Sequence, residues 1–436
     1  MRFKSNDYFL FFFIIISIGC GGGGGGSSST TTQQPGNNNS EKQWQSIQLN
    51  TIESSGLNSP HVKSMIDKLD QLHMVYFSSA INQDFTIYHQ TWDTHIFQPI
   101  DSKTVVINVD NCRDNSMAFV NDIPAVIYQG GSFPTCGEEK QSDVMMSILE
   151  DSQWKEYTIA IGTVERNPVI HNGVAGGSMD MIVDSQFQVH MCFQFFYEGC
   201  DSMNVNYPDL WYVNISTNTL DQLPVTETIE GNDYNNDNTQ NNAGEHCSII
   251  VDQTDTPMAF YYFESPMPDL DKGIRLAQKI DVNQWQTEWI EKDCEIDFIS
   301  AAWNHTNNTA GVAYYVIDDY SYGGSDKSLR YAEIVNNEWY TFIVDDSALC
   351  GNYCSLAFDN DGNPVIAYRA DESHSGNDLN ELRVAQRVNN VWTYETISGN
   401  NKAGKYNTIT IDDSNTIYIT SYSDETKGIY VFYQSP

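Results

Sequence analysis

Three arginines and four loop tyrosines are the residues of this sequence whose types could recognise a ligand. Arg113, Arg166 and Arg369 have no counterparts in the repeats described below, and all three fall in or next to long loops. Three converging guanidinium groups could bind a carboxylate through paired hydrogen bonds. Three unrelated loop arginines in an acidic protein are the simpler interpretation, and we keep the arginine clamp as its alternative.

The aromatic residues divide into recurring and non-recurring ones. A Tyr and a Trp recur at fixed places in the repeats, which predicts core or inter-blade packing. The tyrosines without repeat equivalents are better candidates for stacking against a sugar, and they are Tyr197, Tyr207, Tyr320 and Tyr322. A glycosidase would need two paired carboxylates. The sequence offers many carboxylates and no basis for choosing among them, so the catalytic residues stay unknown.

Cysteine usage suggests an exported protein. Of nine cysteines, Cys20 belongs to the N-terminal segment discussed below, and the remaining even number predicts four disulfides. The disulfide candidates are Cys112, Cys136, Cys192, Cys200, Cys247, Cys294, Cys350 and Cys354. Only the CGNYC stretch, Cys350 to Cys354, suggests a pair from sequence alone. No zinc-type spacing occurs, so no metal is predicted.

The acidic stretch "FDNDGNPVIAY" (358 to 368) could be a calcium loop or a turn. Related stretches, "VNDI" and "DQTD", occupy the same place in other repeats, which predicts a hairpin turn that favours Asp, Asn and Gly. No twelve-residue ligand series with a distal Glu follows. Calcium at Asp359 and Asp361 is therefore the second hypothesis, and no other cofactor is predicted.

A four-stranded unit recurs along the chain. An alternating apolar strand reaches a polar turn, and a Pro four residues before a Tyr opens a second strand, as in Pro257 and Tyr261. A third strand such as "GIRLAQKI" follows, then a short turn and a fourth strand opened by Trp, such as "QWQTEWIE". This pattern predicts an antiparallel meander.

Seven such units predict an all-β fold, a seven-bladed β-propeller over residues 43–436. First strands should begin near residues 63, 116, 178, 248, 300, 355 and 408. The last unit has only three strands, whereas "QWQSIQLNTI" (43 to 52) matches the fourth-strand pattern. We therefore expect the N-terminal strand to complete the last blade and close the ring.

The repeat "CSLAFDNDGNPVIAYR…ELRVAQRVNNVWTYETI" resembles repeats of sialidase-like β-propellers of bacterial surface proteins. The resemblance covers about residues 43 to 436 and concerns architecture, because the Asp-box of sialidases has no match. Loops after the second and fourth strands are long, and in a propeller both sets leave on one face. That face is the expected functional face.

Arginines also recur at one third-strand position. Arg275, Arg330 and Arg383 share it in three consecutive units, and acidic loop residues precede them, namely Glu264, Asp318 and Asp371. The repetition predicts ion pairs within each blade. Arg369 instead stands where sibling units carry Gln129 and Tyr262, so replacing it should cost little stability.

The N-terminal segment predicts a lipoprotein. Residues 1–19 combine a basic start with an apolar run about half a membrane-spanning length, as in a signal peptide. The "SIGC" that follows resembles a bacterial lipobox, with Cys20 as the lipidated residue, palmitate included. Residues 20–42 are this cysteine and a flexible Gly/Ser/Thr/Asn linker. The expected location is the bacterial outer membrane or cell surface.

A net charge of −36 argues against nucleic acid as a partner. The expected partners are the membrane, through the lipid, and a glycan or protein ligand, with the chain as a monomer. The preferred hypothesis is a tethered, non-catalytic binding or scaffold protein. A glycan-active hydrolase or lyase of the sialidase-like propeller type is the alternative.

Overall fold

The computed structural model describes thirteen stretches of the chain. They are residues 43–51, 60–78, 85–109, 114–131, 142–166, 169–197, 208–216, 219–220, 222–231, 241–265, 271–319, 327–373 and 378–435. Strands β1 to β29 and a 3₁₀ turn at Gly399–Asn401 make up the regular structure of these residues. They include no helix with the length and apolarity needed to cross a bilayer.

The first three blades use strands β2 to β14. Blade 1 contains β2 (Lys63–Ile66), β3 (Gln71–Ser78), β4 (Phe85–Asp93) and β5 (Gln98–Val109). Blade 2 contains β6 (Asn115–Val120), β7 (Ile123–Gly131), β8 (Ser142–Glu150) and β9 (Gln153–Ala160). Blade 3 contains β11 (Val169–Val183), β12 (Gln188–Tyr197), β13 (Asp209–Ser216) and β14 (Thr226–Glu230).

The next three blades are more regular. Blade 4 contains β15 (Asn242–Val251), β16 (Pro257–Glu264), β17 (Lys272–Asp281) and β18 (Gln284–Lys292). Blade 5 contains β19 (Cys294–Asn304), β20 (Thr309–Asp319), β21 (Ser328–Val335) and β22 (Glu338–Asp345). Blade 6 contains β23 (Ala348–Phe358), β24 (Pro364–Ser373), β25 (Asp378–Val388) and β26 (Val391–Thr396).

Blade 7 closes the ring. Its strands β27 (Lys405–Ile411), β28 (Ile417–Ser423) and β29 (Gly428–Gln434) are completed by β1 (Gln45–Thr51). In the antiparallel register Gln45 pairs with Tyr433 and Thr51 with Gly428. The seven-bladed propeller and the three-plus-one closure are thus confirmed, whereas the first strands of blades 3 to 6 begin roughly six to nine residues earlier than predicted.

Blades 2 and 3 are less separate than their neighbours. Strand β10 (Thr163–Arg166) forms a hairpin with the start of β11. A single parallel bridge, Val174 to Ser142, joins β11 to β8. The two blades therefore share one nine-stranded sheet.

The hydrophobic cores lie between neighbouring blades, and one of them spans blades 1 to 3. Middle strands are buried on both faces, as in β16, whereas the outer strand β18 alternates between exposed and half-buried positions. The Trp that opens each fourth strand packs on the preceding blade: Trp285 meets Tyr212 at 4.9 Å between ring centroids, and Trp392 meets Tyr331 at 5.4 Å. The recurring aromatics are thus inter-blade packing, as predicted.

The recurring arginines also act between blades, which corrects the prediction of pairs within a blade. Arg383 of blade 6 lies 3.0 Å from Asp345 of blade 5, and Tyr368 donates to the same carboxylate at 2.7 Å. Equivalent groups join Arg275 and Tyr261 to Glu230, and Arg330 and Tyr314 to Glu291. Arg383 also pairs with Glu381 of its own strand at 2.9 Å, whereas Asp371, one of the acidic residues that precede these arginines in sequence, pairs with Arg369.

The "DNDG" stretch forms a hairpin turn. Asp359 Oδ1 accepts hydrogen bonds from the backbone N–H groups of Asp361 (3.0 Å) and Asn363 (2.7 Å). Asp184 and Asp252 cap the equivalent turns of blades 3 and 4 in the same way. The carboxylate of Asp359 thus fixes the turn. Among the described residues no three His, Cys, Asp or Glu side chains are grouped to hold a metal ion.

Candidate functional site

The innermost strands of all seven blades line a central cavity of about 520 Å³. This is the size of typical small-ligand sites. Each first strand enters at one end of the ring, which we call the channel mouth. Because the second strands run antiparallel to the first, they end at the same face. Loops that follow them start there, so the channel mouth lies on the face predicted to be functional.

Five blades place an aromatic side chain at the same position of the channel mouth. We call this set the aromatic arc, and it consists of His246, Phe298, Tyr353, Tyr406 and His61. All five have positive φ angles, between 34° and 54°. Bulky residues rarely adopt this conformation, and it carries a strain of about 1 kcal/mol or more. Strain repeated in five blades indicates a functional constraint.

A β-bulge produces this conformation. The register of β19 with β20 shifts between Asp297 and Ile299, on either side of Phe298. Equivalent shifts surround Tyr353 in β23 and Tyr406 in β27. Bulges redirect single side chains out of the regular alternation. Here they direct one ring per blade towards the cavity.

The rings of the arc are in continuous contact. Ring centroids lie 5.3 Å apart for His246 and Phe298 and 4.4 Å apart for Phe298 and Tyr353. Tyr353 and Tyr406 follow at 4.8 Å, and Tyr406 and His61 at 4.5 Å. These are the spacings of favourable aromatic pairs. The arc is therefore a curved apolar wall with polar atoms at His and Tyr positions.

Blades 2 and 3 leave the arc open. Asp114 and Ser178 stand at the equivalent positions and carry no ring. In blade 3 Gly176 has a φ of +89°, and a Cβ on Gly177 would lie 2.1 Å from Phe196. The positive φ of Gly176 and the Phe196 ring beside Gly177 both favour glycine here. The cavity is consequently aromatic on five sides and polar on two.

Carboxylates at the mouth are paired with histidines. Asp114 Oδ1 lies 3.6 Å from His61 Nδ1, and Asp297 Oδ1 lies 2.5 Å from His246 Nε2. Burial alone would lower the pKa of His246, but the hydrogen bond and charge of Asp297 raise it above its ordinary value. Burial alone would raise the pKa of Asp114, yet the hydrogen bond from His61 and the charge of Lys63 hold it below. The Asp114 carboxylate is therefore ionised at neutral pH.

Tyr353 is a neutral phenol at neutral pH. Burial is the main cause of its raised pKa, and the charge and hydrogen-bond acceptance of the adjacent Tyr406 act in the same direction. A neutral phenol can donate a proton to an oxygen that gains negative charge. Since Tyr406 bridges Tyr353 and His61, the arc contains three adjacent groups able to transfer protons.

Arg369 lies beside the arc but is held by the protein. Its side chain is only 8% exposed and is ion-paired with Asp371. It also donates to Asn380 Oδ1, and Asn352 donates to the other oxygen of Asp371. The low cost predicted for replacing Arg369 stays a prediction, and the burial of this side chain in a polar network leads us to expect a larger cost.

The other predicted ligand residues are placed only in part. Arg166 ends β10 and Tyr197 ends β12, and their side chains are not among the described ones. The remaining candidates lie outside the described residues: Arg113, Tyr207, Tyr320 and Tyr322. Convergence of the three arginines on one carboxylate stays a prediction.

The described cysteines are free thiols, which corrects the predicted pairing within CGNYC. Cys350 Sγ faces Arg383 at 3.5 Å, whereas Cys354 Sγ lies 2.8 Å from the carbonyl oxygen of Phe298. The register is irregular between the two residues, and both thiols lie in the core between blades 5 and 6. Cys192, Cys247 and Cys294 are also buried and form no disulfide, so the prediction of four disulfides is wrong. Cys112, Cys136 and Cys200 lie outside the described residues, as does Cys20.

Two residues after the arc position, the first strands carry a second ring that joins the blades. Leu356 N–H donates to Ser300 Oγ at 3.0 Å, and Ile409 N–H donates to Ser355 Oγ at 3.1 Å. The same position holds Ser116, Asp180, Ser248 and Thr408 in other blades, each bonded to a neighbouring blade. We call these residues the hydroxyl ring, Asp180 included. Blade 1 carries Lys63 there.

A signal for the arc was present in the sequence. The stretches "HCS", "FIS", "YCS" and "YNT" each place an aromatic residue two positions before a Ser or Thr of the hydroxyl ring. When the repeats are aligned, the aromatic residues fall at one position. The sequence does not show that their side chains point towards the channel, because this direction depends on a bulge and thus on cross-strand register.

Comparisons with known proteins show a similarity of fold alone. No family model matches the chain, and no curated protein matches it. An ulvan lyase structure, described as a new family of polysaccharide lyase, matches with a TM-score of 0.55 and 12% identity, covering 88% of this chain and 95% of the lyase. The lyase bound to a saccharide of GlcA(1-4)Rha3S matches with a TM-score of 0.56 and the same identity and coverage.

A protein of unknown function from Dyadobacter fermentans also matches, with a TM-score of 0.50 and 8% identity. The match covers 81% of this chain and 99% of that protein. At such identities these likenesses show the fold. The propeller architecture that the repeats predicted is confirmed.

Proposed function

We propose that the channel mouth binds a carboxylated glycan and cleaves it by β-elimination, as a polysaccharide lyase does. One observation carries this proposal: the aromatic arc places His61, Tyr406 and Tyr353 in contact beside a cavity of about 520 Å³. The arc offers flat faces for sugar rings and groups that transfer protons. The similar solved structures of a polysaccharide lyase also support a polysaccharide as the substrate.

Elimination fits the side chains at the mouth better than hydrolysis does. Glycosidases use two carboxyl groups, one of them as a general acid. Here Asp114 and Asp297 are each engaged by a histidine, and Asp371 by Arg369. The groups left facing the cavity are imidazole and phenol. These are bases and acids suited to proton abstraction next to a carboxylate.

The reaction needs three roles. A base removes the proton at C5 of a uronate, the electron pair forms the C4–C5 double bond, and the C4–O bond breaks with its electrons going to the leaving oxygen. We assign the base to His61 and the acid that protonates the leaving oxygen to Tyr353, whose phenol is neutral. Tyr406 lies between them and orients both. Positive charge from His246 stabilises the substrate carboxylate as its C5 proton leaves.

The test is an assay for unsaturated uronate ends, followed by ultraviolet absorbance on a panel of uronate polysaccharides. We expect His61→Ala and Tyr353→Phe to lower kcat by roughly 10² to 10⁴. Tyr340→Phe, at an exposed position of an outer strand, is the matched control and should retain full activity. Cleavage that yields saturated products only would contradict elimination.

Non-catalytic binding at the same mouth is the second candidate. It is favoured by the closed network around Arg369, Asp371 and Asn380, which leaves this guanidinium little freedom to follow a reacting group. A glycan array on residues 43–436 separates the two. Saturable binding of an acidic glycan with no unsaturated product from any bound polysaccharide would establish the binding protein and exclude the lyase.

We further propose that the propeller works as a monomer tethered to a bacterial outer membrane or cell surface through Cys20. The lipobox resemblance and the polar linker after it support this. Cys20→Ser should move the protein from the membrane fraction to the soluble fraction. Unchanged fractionation of the variant, with no lipid on the wild-type protein by mass spectrometry, would contradict the tether.

A further inference from the structure

We propose that Lys63 forms an anion-binding site in the channel, below the aromatic arc, and holds an anionic substituent of the ligand, a carboxylate or a sulfate. The inference rests on the proposed function for the identity of the ligand, but not for the existence of the site. It starts from an irregularity in the hydroxyl ring. Lys63 is the member of this ring position that does not join its blade to the next.

The scaffold does not need a lysine at this place. At the six other positions the side chain bonds to a neighbouring blade, as Ser300 does to Leu356 N–H. The junction of blades 1 and 2 is made instead by Asn115 Nδ2, which donates to the carbonyl of His61 at 2.6 Å. Lys63 is thus free of the structural role that its siblings have.

Lys63 points into the channel. Its neighbours in sequence, Val62 and Ser64, are each 1% exposed, whereas Lys63 is partly exposed and belongs to the lining of the cavity. Strand alternation places the Lys63 side chain opposite those two buried ones. Its positive charge helps to lower the pKa of Asp114 in blade 2 and opposes the burial that raises the pKa of the Cys354 thiol in blade 6.

No hydrogen bond or ion pair to the Lys63 ammonium occurs among the described residues. An ammonium group in a partly enclosed cavity that makes no direct ion pair is costly, because it loses hydration while the Asp114 charge acts on it only from beyond ion-pair distance. The chain carries a formal charge of −36, so retaining an unpartnered cation at this point is not explained by a shortage of carboxylates. An incoming anionic group would satisfy it.

The position suits a substituent of a glycan held at the mouth. The ring of a sugar on the aromatic arc would lie above Lys63, with its charged group directed down the channel. The hydroxyl protons of Ser116 and Thr408 nearby are already donated, to Asp180 and to the carbonyl of Val62, so the Lys63 ammonium is the group that attracts the substituent. A hydrogen bond to a charged group contributes more than one between neutral groups. Lys63 would thus select charged over neutral sugars.

The test compares Lys63→Ser, which installs the residue type of the sibling blades, with Lys68→Ser. Lys68 forms an exposed surface pair with Asp122 and is the matched control. Inorganic sulfate is titrated while melting temperature is followed, with chloride as the ionic-strength reference. We expect a saturable rise for the wild-type protein and Lys68→Ser, and only the linear salting effect for Lys63→Ser. Lys63→Gln serves as the second variant if the serine variant does not fold.

The second arm uses an acidic uronate oligosaccharide and its carboxyl-reduced neutral form. Lys63→Ser should bind the acidic form roughly tenfold to hundredfold more weakly and the neutral form as the wild type does. Equal behaviour of the variant and the wild-type protein in both arms would overturn the inference while leaving the proposed function intact. Saturable sulfate binding that depends on Lys63, without binding of any glycan, would support the site and overturn the proposed function instead.

Discussion

The outer junctions of blades 3 to 6 and the channel mouth use the same residue types in opposite ways. At the junction of blades 5 and 6, Arg383, Tyr368 and Asp345 satisfy one another, and the Asp345 side chain is 0% exposed. At the mouth, His61 and Asp114 are each 25% exposed beside a cavity. Saturation and burial mark the scaffold, and partial exposure beside a cavity marks the site.

The difference lies in what repetition preserves. At the junctions the Tyr, the Arg and the carboxylate recur in three successive pairs of blades because each pair of blades must pack in the same way. At the mouth only the bulged conformation and an aromatic ring recur. The chemical group changes from imidazole to phenyl to phenol, which packing does not require. Four measurements test this difference between the junctions and the channel mouth.

The largest effect should come from removing β1, on which both regions depend. A chain of residues 53–436 lacks the fourth strand of blade 7 and exposes the edge of β29. We expect it to unfold or to form oligomers, whereas a chain of residues 42–436 should melt as the full chain does. Circular dichroism melting measures the unfolding, and light scattering measures the oligomeric state. A stable monomer of residues 53–436 would disprove the closure.

Arg383→Ala tests the saturated junction. It leaves the Asp345 carboxylate buried without its cation, and breaking such a pair costs about 3 to 5 kcal/mol of unfolding free energy. Urea unfolding measures this. Lys402→Ala breaks an exposed pair with Glu425 and should cost under about 1 kcal/mol. Similar losses in the two variants would show that burial does not separate scaffold from surface here.

Arg369→Ala tests the boundary between the two regions. Removing its hydrogen bonds to Asp371 and Asn380 should cost about 2 kcal/mol, more than Tyr406→Phe, which should stay within about 0.5 kcal/mol. The same unfolding curves give both numbers. If Arg369→Ala proved as harmless as an ordinary surface change, Arg369 would belong to the site and would be available to a ligand.

The smallest effect concerns pH at the mouth. The pKa of His246 is raised in the folded state, so the pairing with Asp297 contributes stability that is complete below the ordinary value of 6.5 and is lost as pH rises through the raised pKa. Unfolding free energy should therefore fall slightly from slightly acidic to alkaline pH. His246→Gln should remove this component. An unchanged pH profile in the variant would mean that the His246 proton is not shared with Asp297.

Sequence patterns predicted the fold well because a propeller repeats its local rules. The Pro, Tyr and Trp columns located each strand, and the missing fourth strand of the last unit located β1. Partners between blades escaped prediction, since Asp345 lies far from Arg383 in sequence and becomes its neighbour only when blades pack. The arc escaped for a related reason: Tyr353 and Tyr406 resemble core aromatics until a bulge reverses their direction. The buried ion pair of Arg369 was not predicted, because the residues at the equivalent repeat positions, Gln129 and Tyr262, are uncharged.

Ring closure through β1 also sets an order of events for a chain made from its N-terminus. Residues 45 to 51 are synthesised long before their partner strand at residues 428 to 434, so β1 must wait unpaired while six blades are completed. During that time its free edge can pair with the unfinished last blade of another chain, which yields a strand-swapped dimer with every blade intact. Protein concentration during synthesis, and not the stability of the finished ring, then decides whether the product is a monomer.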